Sequence, residues 1–125
     1  MTATRVTGKV LVVDDDPVLF DFIRATLEQQ GYQVVTVVDG DALLVAPHLR
    51  PDVILLDIMM PGMSGVSVSM RLRENAATAH IPLVAMAVQT RLSSTAPLME
   101  VNDWLVKPID QHELCATVAR WVKPS

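Results

Sequence analysis

The chain has 125 residues, half of them apolar, which is enough for one ordinary domain with a real core. Ten basic residues against 14 acidic ones give a formal charge of −4, and no basic run stands out, which argues against direct nucleic-acid binding. No apolar stretch is long enough to cross a membrane, Met1 to Thr7 lacks the apolar stretch of a signal peptide, and Cys115 is the single cysteine, so no internal disulfide forms. A reducing cytoplasm is the expected compartment.

Residues 1–8 read as a flexible leader. Lys9 to Val13 is an apolar first strand. Asp16-Pro17 then opens a helix, with Asp16 as N-cap, Pro17 at the first helical position and Leu19, Phe22, Ile23 and Leu27 on one face. Gly31 stops that helix in the left-handed conformation. Gln33 to Val38, rich in β-branched residues, is a second strand. Asp41 to Leu49 is a second helix, which Pro47 is expected to distort or shorten. Arg50-Pro51-Asp52 turns into a third strand, Val53-Ile54-Leu55-Leu56, closed by Asp57. Ser64 is a cap for a third helix running to about Asn75, with Gly65 at a turn that needs positive φ or close approach. Pro82 to Val88 is a fourth strand. Gln89 to Asn102 is polar and carries Pro97, so the fourth helix is expected to be short, irregular or absent. Trp104 to Val106 is a short fifth strand. Asp110, with Glu113 three residues on, caps a last helix striped by Leu114, Val118, Trp121 and Val122. Strict alternation of strand and helix implies a parallel sheet covered on both faces.

Three strand ends carry the chemistry. Asp14-Asp15-Asp16 follows the first apolar run, Asp57 ends the third strand, and Lys107 follows the fifth. Strand carboxyl ends are where open α/β sheets place ligands. Acids and a lysine meeting there suit a divalent metal and a phosphoryl group. His48, His80 and His112 have no ligand spacing, and Cys115 has no evident histidine partner. Met59, Met60 and Met63 read as packing and turn-lining residues.

Val12-Val13-Asp14-Asp15-Asp16-Pro17, Leu55-Leu56-Asp57-Ile58-Met59-Met60-Pro61-Gly62-Met63-Ser64-Gly65 and Asp103-Trp104-Leu105-Val106-Lys107-Pro108 together resemble the receiver domain of bacterial two-component response regulators. The resemblance covers about residues 9–122 and leaves 123–125 as a tail or the start of a linker. It implies a flavodoxin-like (βα)5 three-layer sandwich with strand order 2-1-3-4-5. It implies that Asp57 is the phosphoacceptor, with Asp14, Asp15, Asp57 and the Met59 backbone carbonyl around Mg2+ (or Mn2+), and Lys107 on the phosphoryl oxygens. It also implies a cis Lys107-Pro108 bond, and a sensor histidine kinase or histidine phosphotransfer protein as donor. A downstream protein or fused output domain would receive the signal.

One position departs from the family pattern. Ala87 stands where a Thr or Ser hydroxyl is usual, and Trp104 takes the place of the aromatic switch residue. Without that hydroxyl, phosphorylation is expected to survive while its coupling to a conformational change weakens. Two other readings compete. One is a degenerate receiver that binds a partner regardless of phosphorylation. The other is a haloacid-dehalogenase-type phosphohydrolase using the Asp-x-Asp spacing of Asp14 and Asp16, although the chain has no room for a cap domain.

Overall fold

The computed structural model describes residues 8–38, 40–59 and 65–122. Its elements run β1 (Lys9–Val13), α1 (Pro17–Gln29), β2 (Gln33–Val37), α2 (Asp41–Leu49), β3 (Val53–Asp57), α3 (Gly65–Glu74), β4 (Leu83–Ala87), α4 (Gln89–Thr95), a 3₁₀ turn (Ala96–Leu98), β5 (Asp103–Val106) and α5 (Gln111–Trp121). All four strand pairings are parallel, in the order β2-β1-β3-β4-β5. This is the expected flavodoxin-like architecture. The expectations placed on residues 1–7, on Met60, Met63 and the Ser64 cap, and on the 123–125 tail fall outside the described residues.

The two-residue period of the strands divides the core into two layers. Leu11, Val13, Ile54, Leu56, Leu83 and Ala85 face one side and pack with Ala42 and Ala46 of α2, Val68 and Leu72 of α3 and Leu92 of α4. Val10, Val12, Val53, Leu55, Val84 and Met86 face the other and pack with Ile23 and Leu27 of α1 and Leu114 and Val118 of α5. β1, β3 and β4 are covered on both faces, which is why they read as unbroken apolar runs.

Local chemistry sets the boundaries. Asp16 caps α1, its Oδ1 accepting from the Val18 and Leu19 amides at 3.0 and 3.4 Å. Gly31, at φ 97°, ends it in a Schellman arrangement: Gly31 N–H bonds the Glu28 carbonyl and Tyr32 N–H the Leu27 carbonyl. Asp110 caps α5 through the Glu113 amide at 3.0 Å. Gly65 does not have positive φ; it is there for close approach, because a Cβ would lie 2.5 Å from the Ile58 Cα. Pro47 does not shorten α2, which is helical from Asp41 to Leu49. Its missing N–H forfeits one bond near the helix end, and buried Ala42 and Ala46 hold the turn that precedes it. The fourth helix is short, as expected, at seven residues before the 3₁₀ turn.

Candidate functional site

β1 and β3 are neighbours in the sheet, but the chain leaves β1 toward β2 and leaves β3 toward β4. The divergence opens a crevice at their carboxyl ends. Sheet hydrogen bonding continues into it: Asp14 N–H bonds the Val37 carbonyl at 3.1 Å, Ile58 N–H the Met86 carbonyl at 3.1 Å, and Lys107 N–H the Ala87 carbonyl at 2.8 Å. The side chains at the crevice therefore stand on rigid backbone.

Asp14, Asp15 and Asp57 meet there, and one carboxylate oxygen from each lies within 4.8 Å of the others. Asp14 and Asp57 are buried, each 3% exposed, whereas Asp15 is open to solvent. Asp57 is held at both oxygens. Its Oδ1 accepts from the Met59 amide at 2.8 Å, and its Oδ2 from Lys107 Nζ at 2.9 Å. Lys107 reaches across from the end of β5, and the Lys107–Pro108 peptide is cis.

Asp14 is less well provided. Its Oδ1 accepts from the Asp16 amide at 2.9 Å, but its Oδ2 is buried with no hydrogen-bond partner among the described residues. Burial raises its pKa from 3.8 to about 6; the Asp16 amide opposes the rise, the Asp57 charge and carboxyl contact add to it, and Lys107 offsets part of it. A buried carboxylate beside another, with one orphaned oxygen, is short of positive charge. All the donors are hard oxygens and one carboxylate faces water, a set that fits Mg2+ with retained waters.

Asp16 is committed to capping α1 and stands outside the cluster. Ala87 ends β4, fully buried. Trp104 pairs with Ala85 in the sheet register and is half-buried against the same layer as Ala87. His48, His80 and His112 are exposed, and Cys115 is half-buried on α5, its thiol pKa raised by burial.

Two features escaped sequence reasoning. The Met59 thioether accepts a hydrogen bond from the Val88 amide, with Sδ at 3.4 Å, bridging the ends of β3 and β4. On the far side of the sheet Arg73 of α3 donates to the Ala79, Ile81 and Glu100 carbonyls and to Asn102 Oδ1. Asn102 in turn receives the Leu83 amide, so one guanidinium ties the loops before β4 and β5. Burial lowers its pKa. Val88 lies 29 residues from Met59, and Glu100 and Asn102 lie 27 and 29 residues from Arg73, so no local pattern marks these contacts.

The chain matches the sequence profile described as the response regulator receiver domain over residues 10–119. It is 35% identical over 113 residues to the "DNA-binding dual master transcriptional regulator RpaA" of Synechocystis sp., a match covering 88% of this chain and 47% of that protein. It is 32% identical over 114 residues to Protein PilH of Pseudomonas aeruginosa, covering 89% of this chain and 94% of PilH. The chain thus spans about half or less of several relatives and nearly all of PilH. Among solved structures, the receiver domain of the sensor histidine kinase PA1611 of P. aeruginosa superposes with a TM-score of 0.86 at 30% identity, covering 94% and 98% of the two chains. That structure has a magnesium ion coordinated in its active site cleft. CheY4 of Vibrio cholerae superposes at 0.82 with 31% identity, covering 92% and 98%. Matched by that profile over most of its length, and sharing the strand order of these structures, the chain belongs to the receiver-domain family of response regulators.

Proposed function

We propose that Asp57 accepts a phosphoryl group from a sensor histidine kinase or histidine phosphotransfer protein. The carrying observation is the constellation around it: a buried acid held at both oxygens, two further carboxylates within 4.8 Å, and a lysine at 2.9 Å. Asp14, Asp15, Asp57 and the Met59 carbonyl are the residues that would hold Mg2+, or Mn2+ of the same hard-donor class. Such an ion offsets the repulsion between an acid and a phosphoryl group.

The chain's own groups do the rest. The Met59 amide fixes the Asp57 rotamer. An Asp57 oxygen forms the new P–O bond as the P–N bond to the donor histidine breaks, and the histidine leaves with the electron pair. Lys107 is already in contact with Asp57 and takes up the added negative charge. The domain spans 9–122, is not a turnover enzyme, and acts in the cytoplasm on a protein partner or a fused output domain, without direct contact to nucleic acid or membrane. Asp16, tied to two α1 amides, is poorly placed as the acid/base of a phosphohydrolase.

Ala87 favours a second reading, a partner-binding module indifferent to phosphorylation, because no hydroxyl ends β4. Intact mass after incubation with Mg2+ and acetyl phosphate separates the two. An adduct on the wild type, absent from Asp57→Asn, supports the phosphoacceptor. No adduct, together with no beryllofluoride binding, supports the module.

A further inference from the structure

We propose that the Met59 thioether, and not a hydroxyl at the end of β4, couples the Asp57 site to the start of α4; the proposal rests on the phosphoacceptor reading. Four hydrogen bonds form the link. The Met59 amide donates to Asp57 Oδ1 at 2.8 Å. The Val88 amide donates to Met59 Sδ at 3.4 Å. The Val88 carbonyl accepts the Arg91 and Leu92 amides at 3.0 and 3.1 Å, which closes the first turn of α4. One residue thus touches the acceptor with its backbone and the next helix with its side chain.

The surroundings leave Val88 little other attachment at this end. Ala87 has no polar side-chain atom, and its carbonyl is taken by the Lys107 amide. Between Ala87, anchored to β5, and α4, the Val88 N–H is the free hand of the strand end, and a weak sulfur acceptor holds it. Met59 is 39% exposed, so its thioether lies at the mouth of the crevice and can leave without opening the core. A phosphoryl group on Asp57 brings strong oxygen acceptors to the same mouth. An amide held by sulfur changes to such an oxygen readily, because charge-assisted bonds are about twice as strong as neutral ones. The exchange displaces the thioether and moves the first turn of α4. Met59 is in this sense a positioning residue.

The test compares amide hydrogen exchange in the wild type and Met59→Leu, which keeps the volume and removes the acceptor. Without Mg2+ or phosphodonor, the Val88 amide should exchange about two- to tenfold faster in the variant, the range a net hydrogen bond supports. Arg91 and Leu92 should follow, and Val12 and Leu55 in the central strands should not change. An unchanged Val88, or a uniform rise that includes Val12 and Leu55, overturns the proposal. With Mg2+ and beryllofluoride the difference at Val88 should vanish, since the amide has left sulfur in the wild type; its persistence also overturns the proposal. If neither protein takes up beryllofluoride or an acetyl phosphate adduct, the phosphoacceptor reading fails and the coupling falls with it. If both take it up and Val88 behaves alike throughout, the coupling alone fails.

Discussion

The carboxyl ends of β3 and β4 stand side by side in the sheet and are furnished very differently. β3 ends in Asp57, held by an amide and an ammonium and flanked by two more acids. β4 ends in Ala87, which offers only backbone, and leads into a seven-residue helix whose one buried side chain is Leu92. Ser93, Ser94 and Thr95 of that helix bond back to its own carbonyls. Side chains spent in this way do not tie a helix to the rest of the fold. Groups at the ends of β3 and β5 therefore hold Asp57, while its connection to α4 runs through the sulfur contact of Met59 and the packing of Leu92. On the proposed reading, chemistry at Asp57 and its transmission to α4 rest on different groups, so substitutions should pull them apart.

The largest effect is expected at the acceptor. Asp57→Asn should abolish the phosphoryl adduct seen by intact mass with acetyl phosphate, while the fold is retained. Lys107→Ala should come next. It removes a charge-assisted hydrogen bond of about 1.5–3 kcal/mol, so the rate of adduct formation should fall roughly 10- to 100-fold. A rate within twofold of wild type would show that Lys107 is only a partner of the unmodified acid.

Asp14→Asn should act in opposite directions on stability and metal binding. In the folded chain the Asp14 pKa is raised to about 6 by burial first and by Asp57 second, against 3.8 unfolded. The native state holds this proton more tightly, so the metal-free protein is favoured fully below about pH 4 and loses that advantage as pH rises to about 6. At neutral pH the charged Asp14 thus costs roughly 1–3 kcal/mol. Urea unfolding of the metal-free variant should show a gain of that order at pH 7 and almost none at pH 4, and Mg2+ affinity should drop. Equal stability of the two proteins across pH 4–7 would mean that Asp14 is neutralised by some other means.

The contrast between the two strand ends also sets what could be read from the sequence. Apolar runs closed by Asp14, Asp57 and Lys107 marked the strands and the site, because burial on both faces and a polar terminus leave a local signature. Caps at Asp16 and Asp110 were equally visible, since a cap acts on amides two or three residues away. The unequal burial of Asp14 and Asp15 was not visible, because it depends on which way a chain turns after β1. Nor were the Met59–Val88 contact and the reach of Arg73 to Glu100 and Asn102, which join residues 27 to 29 apart by way of the tertiary fold. The bounds of α2 were legible as Asp41 to Leu49, but Pro47 does not shorten it, because it sits near the end of the helix behind buried Ala42 and Ala46.

The smallest and most informative change is Ala87→Thr. Ala87 is fully buried within a packed layer, so the added atoms must be accommodated there, and a small loss of stability is expected. What the substitution adds is a hydroxyl at the end of β4, able to donate to a phosphoryl oxygen. A hydrogen bond to a charged group is worth about 1.5–3 kcal/mol, comparable to allosteric couplings of about 1–3 kcal/mol. The phosphorylation-dependent shifts of amides in α4 and around Trp104 should therefore grow. In the Met59→Leu background the same threonine should enlarge the shifts as well, because its hydroxyl acts on the phosphoryl group independently of the thioether, which the phosphoryl group displaces in any case. If the threonine leaves the amide response unaltered in both backgrounds, the weakness lies in α4 itself, whose single buried leucine gives a moving loop too little to pull on.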